Sequence, residues 1–251
     1  MSAAEGRFVW FDLVTTDAAA AKRFYGEIAG WGTTPFTGAD YEMWTAGGVP
    51  LGGVSVQAGT GPRWIGFVAH RDVDAAIGRA EKMGGKVIEP PMQIPGGGRF
   101  AILADPQGAR FGIYTPAAAE EVVVPDRTKA GQFSWAELQT TDWKAARGFY
   151  GELFGWQESS CFDMGPAMGS YFVFGTDPKD GLGGMFDAAR VSQLPPFWLH
   201  YVQVKSADAS AKRIAELGGT ILHGPADIPG GGRIAQCLDP QGAAFAVVSD
   251  S

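Results

Sequence analysis

The chain carries much of its text twice. "IPGGGRFAILADPQGARFGIYT" (Ile94–Thr115) and "IPGGGRIAQCLDPQGAAFAVVS" (Ile228–Ser249) lie 134 residues apart and agree at 13 of 22 positions, where chance gives roughly one or two at ordinary residue frequencies. Upstream, "FVWFDLVTTDAAAAKRFYGEIAGW" (Phe8–Trp31) pairs with "FSWAELQTTDWKAARGFYGELFGW" (Phe133–Trp156) at an offset of 125, with 14 identities in 24. The difference between the offsets, 134 less 125, gives the second copy nine extra residues between the two blocks. A repeat this long is domain-sized and excludes a solenoid of short units. It sets out two domains, 1–117 and 132–251, joined by a linker over 118–131 within "AAAEEVVVPDRTKAG".

Each copy repeats a simpler plan internally. "FVWFDLVT" alternates as a strand does. It runs into Thr16 or Asp17 as an N-cap, then Ala20, Ala21, Phe24, Tyr25 and Ile28 at helical spacing, closed by Gly30. Short β-like runs follow, "YEMWTA" and "LGGVSVQA", and the plan restarts with "RWIGFVAH" and a helix over Asp72–Met83. Four β-α-β-β-β modules result, beginning near residues 6, 62, 131 and 196. The fold class is α+β: a tandem duplication of paired βαβββ modules whose curved sheets enclose clefts. The 37 glycines, about twice the usual share, suit the tight turns of such a chain.

A formal charge of −7 with no Lys/Arg cluster argues against a nucleic-acid partner. No run approaches 18 uninterrupted apolar residues, so no membrane span is expected. The start, "MSAAEGRFVWFDL", has no basic segment followed by a long apolar run. Cys161 and Cys237 are isolated and make no metal spacing. A cytoplasmic protein with free thiols is expected, as a monomer or a weak homodimer.

The triple glycines open a strand rather than a helix, so they match neither a dinucleotide loop nor a P-loop. "DPQG" reads as a β-turn with Pro second and Gly fourth. Alternation places Val9, Phe11 and Leu13 toward the helix and Trp10, Asp12 and Val14 on the cleft face. In the second copy the cleft set is Trp135, Glu137 and Gln139. An acid inside a sheet needs a partner. A structural reading gives Asp12 and Glu137 backbone amides, or an arginine such as Arg99 or Arg233. A functional reading makes them a general base or an anchor for a ligand. The same sorting pairs Trp64 with Trp198 and puts His200 in a cleft, while His70 and His223 are expected at the surface. Tyr41, Tyr114 and Tyr171 are candidate rim contacts.

The paired modules, the "TTD...A..FYG..FGW" helix and the "DPQGA.F" hairpin resemble the vicinal oxygen chelate superfamily, which includes glyoxalase I, extradiol dioxygenases and bleomycin-resistance proteins. More narrowly, the chain resembles two-domain glyoxalase-like proteins of bacteria. The resemblance implies metal-ligand positions at Trp10 and Trp135, near Ser55, at Trp64 or Ile65, at Trp198 or Leu199, and at Gly112 and Ala246. None of these residues brings imidazole, thiolate or carboxylate, so no metal or other cofactor is expected. The leading expectation is a metal-free small-molecule binding protein, with Trp10, Trp64, Trp135, Trp198, Arg99, Arg233 and Tyr114 about a planar or aromatic ligand. The rival is a glyoxalase-like lyase or isomerase with Asp12 or Glu137 as base, His200 as a further catalytic group and a divalent metal as an option.

Overall fold

A computed structural model of the chain describes residues 4–57, 59, 61–117, 122–188 and 194–250. Residues 118–121, the start of the expected linker, lie outside that set. The first module is β1 (Phe8–Thr15), α1 (Ala18–Ala29), β2 (Gly32–Pro35), β3 (Glu42–Ala46) and β4 (Val49–Val56). The second is β5 (Arg63–Ala69), α2 (Val73–Lys82), β6 (Lys86–Gln93), β7 (Arg99–Ala104) and β8 (Arg110–Thr115). The third is β9 (Phe133–Thr140), α3 (Trp143–Phe154), β10 (Gln157–Asp163), the one-turn α4 (Gly165–Met168), β11 (Ser170–Gly175) and β12 (Gly183–Asp187). The fourth is β13 (Phe197–Gln203), α5 (Ala207–Glu216), β14 (Thr220–Asp227), β15 (Arg233–Leu238) and β16 (Ala244–Ser249). The four-module reading therefore stands, with α4, in the connection between β10 and β11, as an addition in the second copy.

Local chemistry sets the helix ends. Asp17 and Asp142 cap α1 and α3, each accepting the backbone N–H three residues on (2.9 and 3.0 Å). Both helices stop at a glycine in the left-handed region, Gly30 at φ 70° and Gly155 at φ 73°.

The strands form two mixed sheets of eight, in the orders β2-β3-β4-β1-β5-β8-β7-β6 and β10-β11-β12-β9-β13-β16-β15-β14. Strands β1 and β4, β5 and β8, β9 and β12, and β13 and β16 pair in parallel. The hairpins are antiparallel.

Packing divides the molecule along a different line from the duplication. One compact unit comprises Met1–Val9, Gly66–Val124 and Ala136–Trp198; the other comprises Trp10–Ile65, Pro125–Trp135 and Leu199–Ser251. Each unit thus joins a module of one copy to a module of the other. In the first unit the Tyr150 ring contacts Phe111, Trp156 and Trp198 at centroid distances of 5.3–5.4 Å. In the second, Tyr25 meets Trp31, Trp64 and Phe245 at 5.2–5.4 Å.

Candidate acid–tyrosine sites

In the second unit the parallel register of β1 and β4 sets Asp12 opposite Gly53. The ring of Tyr41, just before β3, lies across that glycine, and a Cβ at Gly53 would overlap its hydroxyl. The missing side chain is what lets the phenol reach the carboxylate. Tyr41 Oη donates to Asp12 Oδ1 at 2.5 Å. Trp10 shares its single indole N–H between Asp12 Oδ1 (2.8 Å) and Tyr41 Oη (3.0 Å). Trp10, Asp12 and Tyr41 are all half-buried. Burial, then the charge of Asp12, drives the Tyr41 pKa well above the usual phenol range, so the hydroxyl remains a donor at neutral pH.

The first unit repeats the arrangement with altered chemistry. Glu137 stands opposite Gly184, and the Tyr171 ring occupies the space a Cβ on that glycine would need. Tyr171 Oη donates to Glu137 Oε2 at 3.0 Å, and Gln139 Nε2 donates to Glu137 Oε1 at 3.1 Å. Glu137 is buried, and Tyr171 stacks on Phe186 at 5.9 Å. The amide of Gln139 has no counterpart in the first copy, where Val14 stands.

Of the residues singled out from the sequence, the structure gathers Trp10, Asp12 and Tyr41 in one cluster and Glu137, Gln139 and Tyr171 in the other. Trp135 is half-buried on β9. The other candidates lie elsewhere. Trp64 and Trp198 are core residues rather than cleft lining: Trp64 Nε1 donates to Tyr25 Oη (2.9 Å) and Trp198 Nε1 to Tyr150 Oη (3.0 Å). The parity of these strands puts the indoles on the helix side, against the tyrosines of α1 and α3. On the same face of β13 as Trp198, His200 is fully buried. Its ring meets Phe11 edge-on at 5.1 Å and lies 6.2 Å from Phe133. Burial lowers its pKa to about 3. A histidine so placed is a neutral packing residue rather than a cleft acid–base group.

The arginines are committed to helix starts. Arg99 makes a bidentate pair with Asp74 in the first turn of α2 (3.1 and 3.0 Å). Arg233 does so with Asp208 in the first turn of α5 (2.7 and 3.1 Å) and also meets Asp227 (2.6 Å). The expected pairing of either arginine with Asp12 or Glu137 is thus replaced by a nearer acid. Tyr114 lies against Gly98 and packs on Ala4, Val9 and Ala69. His70 is buried, not superficial; its Nδ1 accepts the Asp72 N–H at 3.0 Å. His223 is exposed on β14. The glycine triplets spend amides internally, Gly97 N–H on Ile94 O (3.0 Å) and Gly231 N–H on Ile228 O (3.2 Å).

The signal missed in the sequence is the pair Gly52–Gly53, repeated as Gly183–Gly184 and each preceded by a leucine. At an offset of 131, it also shows that six of the nine extra residues lie before β12 (131 less 125).

Comparison with known proteins follows the same division of the sequence. Residues 8–114 match the model of a glyoxalase-like domain, and residues 132–247 match that of the glyoxalase/bleomycin resistance protein/dioxygenase superfamily. Over 248 residues the chain is 34% identical to the "Putative glyoxylase CFP32" of Mycobacterium tuberculosis, covering 95% of this chain and 93% of that one. The chain belongs to the glyoxalase/bleomycin resistance protein/dioxygenase superfamily. A second relative, the anthracycline biosynthesis protein DnrV of Streptomyces peucetius, is 34% identical over 270 residues (98% and 94% of the two chains). Among solved structures, the fold is similar to the Mn(II)-bound glyoxalase from Novosphingobium aromaticivorans, with a TM-score of 0.67, 17% identity, and 98% and 82% of the two chains covered.

The Mn(II) bound in that fold neighbour raises the question of whether these residues fit an ion. The positions that family resemblance assigns to ligands hold indole, aliphatic, hydroxyl or no side chain. Among the described residues, no group of three or more His, Cys, Asp or Glu is placed to hold a metal ion. Zinc-type sites draw on imidazole, thiolate or carboxylate donors, and the residues at these positions bring none of them.

Proposed function

We propose that this superfamily member is a metal-independent small-molecule binding protein whose ligand is anchored at the acid–tyrosine clusters. The observation that carries this reading is the Asp12–Tyr41–Trp10 cluster, re-made in the second copy as Glu137–Tyr171–Gln139. In both, a carboxylate on the first strand is held by a phenol that can reach it only because the facing residue is glycine. A buried or half-buried carboxylate is costly without such bonds, and a flat aromatic surround suits a planar ligand. The naming of DnrV for anthracycline biosynthesis favours a polycyclic aromatic ligand as the first to try.

A second reading, a glyoxalase-like lyase or isomerase, is favoured by the CFP32 name and by the presence of a carboxylate in each cluster. Each acid is held in place by hydrogen bonds from its neighbours, Tyr41 and Trp10 at Asp12 and Tyr171 and Gln139 at Glu137. That weighs toward anchoring rather than proton abstraction.

The two readings part in one set of measurements. Protein purified without chelator is analysed for metal, titrated with a planar hydroxyanthraquinone while tryptophan emission is followed, and assayed for turnover of methylglyoxal with a thiol. Saturable quenching without stoichiometric metal or turnover is expected. Stoichiometric metal with thiol-dependent turnover would overturn the proposal in favour of the enzyme.

A further inference from the structure

We infer that Gln139 reads a carboxamide or lactam edge on the ligand; this rests on the small-molecule reading above and narrows it to a chemical class. The inference comes from what the Gln139 amide has left over. A primary amide carries two N–H donors and a carbonyl acceptor. One donor goes to Glu137 Oε1 at 3.1 Å. Because a carboxylate oxygen accepts, this contact fixes which end of the amide is nitrogen. Among the described residues, no group meets the second N–H or Oε1. Gln139 is only 8% exposed, yet its Oε1 is not sealed inside the core.

A polar group this deep is costly when it goes unanswered. Packing of the sheet gives no reason for it, since the equivalent position of the first copy holds the apolar Val14. The neighbour across the ladder changes as well. Gln139 stands opposite Phe186 in the parallel register of β9 and β12, whereas Val14 stands opposite Ser55. The Phe186 ring in turn stacks on Tyr171 at 5.9 Å, with 27° between the planes. The second copy therefore sets an amide with one donor and one acceptor to spare beside a pair of aromatic rings.

A ligand that answers both groups must itself carry a donor and an acceptor close together. A carboxamide or a lactam does so in one rigid plane. An ester or a tertiary amide only accepts and brings no hydrogen to Oε1, while an ammonium only donates and leaves the N–H unanswered. The flat rings suit an aromatic body attached to such an edge. Glu137 holds the amide in place, and the ligand meets Gln139.

Three probes share one planar body and differ in the edge they present: anthracene-2-carboxamide, N,N-dimethylanthracene-2-carboxamide and methyl anthracene-2-carboxylate. Titrated against the full chain by fluorescence, the primary amide is expected to bind about fivefold more tightly than either of the others, the worth of one net hydrogen bond. Gln139→Val, which installs the residue of the first copy, should erase that preference. Gln139→Met, closer in length and equally without donors, should do the same and serves where the valine variant fails to fold. Equal binding of the three probes by the unmodified chain, or a preference that survives in a folded variant, would overturn the amide assignment while leaving the protein a small-molecule binder. If only the hydroxyanthraquinone binds, the amide assignment alone falls. If neither it nor any of the three binds, the small-molecule reading falls together with it. The probe series on the unmodified chain is decisive even where both variants fail to fold.

Discussion

Two adjacent glycines on β4 face different obstacles, and that difference makes them separately testable. A Cβ on Gly52 would overlap the backbone carbonyl of Phe11, which is fixed in the sheet. The nearest atoms to a Cβ on Gly53 belong to the far end of the Tyr41 side chain, which can swing away. Gly52→Ala is therefore expected to cost about 3 kcal/mol as overpacking in a rigid strand pair, measured by urea unfolding. Gly53→Ala should retain most of the stability but release Tyr41 from Asp12. An ultraviolet pH titration should then show one additional tyrosine ionising near its ordinary value, about 10. If the tyrosine titration of Gly53→Ala matches that of the unmodified chain, the role given to this glycine is wrong. Some of this was legible in the sequence. Alternation set Trp10 and Asp12 on one face, and the recurrence of an acid in both copies marked them. The phenol partner was not legible, because a contact across strands 29 residues apart (41 less 12) leaves no local periodicity. The parity of β13 misled because every position from Trp198 to Gln203 is buried. A strand buried on both faces has no polar side to orient it.

At the scale of elements, the repeated helix and the repeated hairpin turn prove to be partners. Tyr25 of α1 donates to Asp239 in the turn between β15 and β16, and Tyr150 of α3 donates to Asp105 in the turn between β7 and β8, both at 3.1 Å. Each aspartate also folds its own turn: Asp105 Oδ1 accepts the N–H groups of Gln107 and Ala109, and Asp239 Oδ1 those of Gln241 and Ala243. "FYG" and "DPQG" are legible as a helix and a turn, but that each helix docks on the turn of the other copy could not be read. Identical motifs give no reason to prefer one pairing over the other. Tyr150→Phe keeps the ring and leaves Trp198 Nε1 and Asp105 Oδ2 each short of a buried partner. It should cost about 1–3 kcal/mol by chemical denaturation. A loss below about 0.5 kcal/mol would mean that water or a rearrangement replaces the phenol.

For the molecule as a whole, acid stability should report on His200. Burial holds its folded pKa at about 3, whereas an unfolded histidine titrates near 6.5. Below pH 6.5 the unfolded chain takes up a proton that the folded chain refuses. The contribution is therefore intact above 6.5 and is lost as pH falls toward 3, with a slope approaching about 1.4 kcal/mol per pH unit. Replacing His200 with Leu should flatten the unfolding free energy between pH 6.5 and 5 by up to that slope. Profiles that stay parallel would show that the ring is protonated in the native core. The α+β class and the four-module order were fully legible, because each module carries its own caps, turns and alternation. Membership of each compact unit was not, being settled by packing between modules distant in sequence.

Because each compact unit contains segments from both copies, the peptide bond between the copies is not what keeps them together. In the first unit Tyr150 and Phe111 belong to different copies, and in the second Trp31 and Phe133 do. A single cut after the exposed Lys129 should therefore leave one particle on gel filtration that separates into two fragments only under denaturing conditions. Such a nicked protein would behave as a heterodimer held by aromatic side chains.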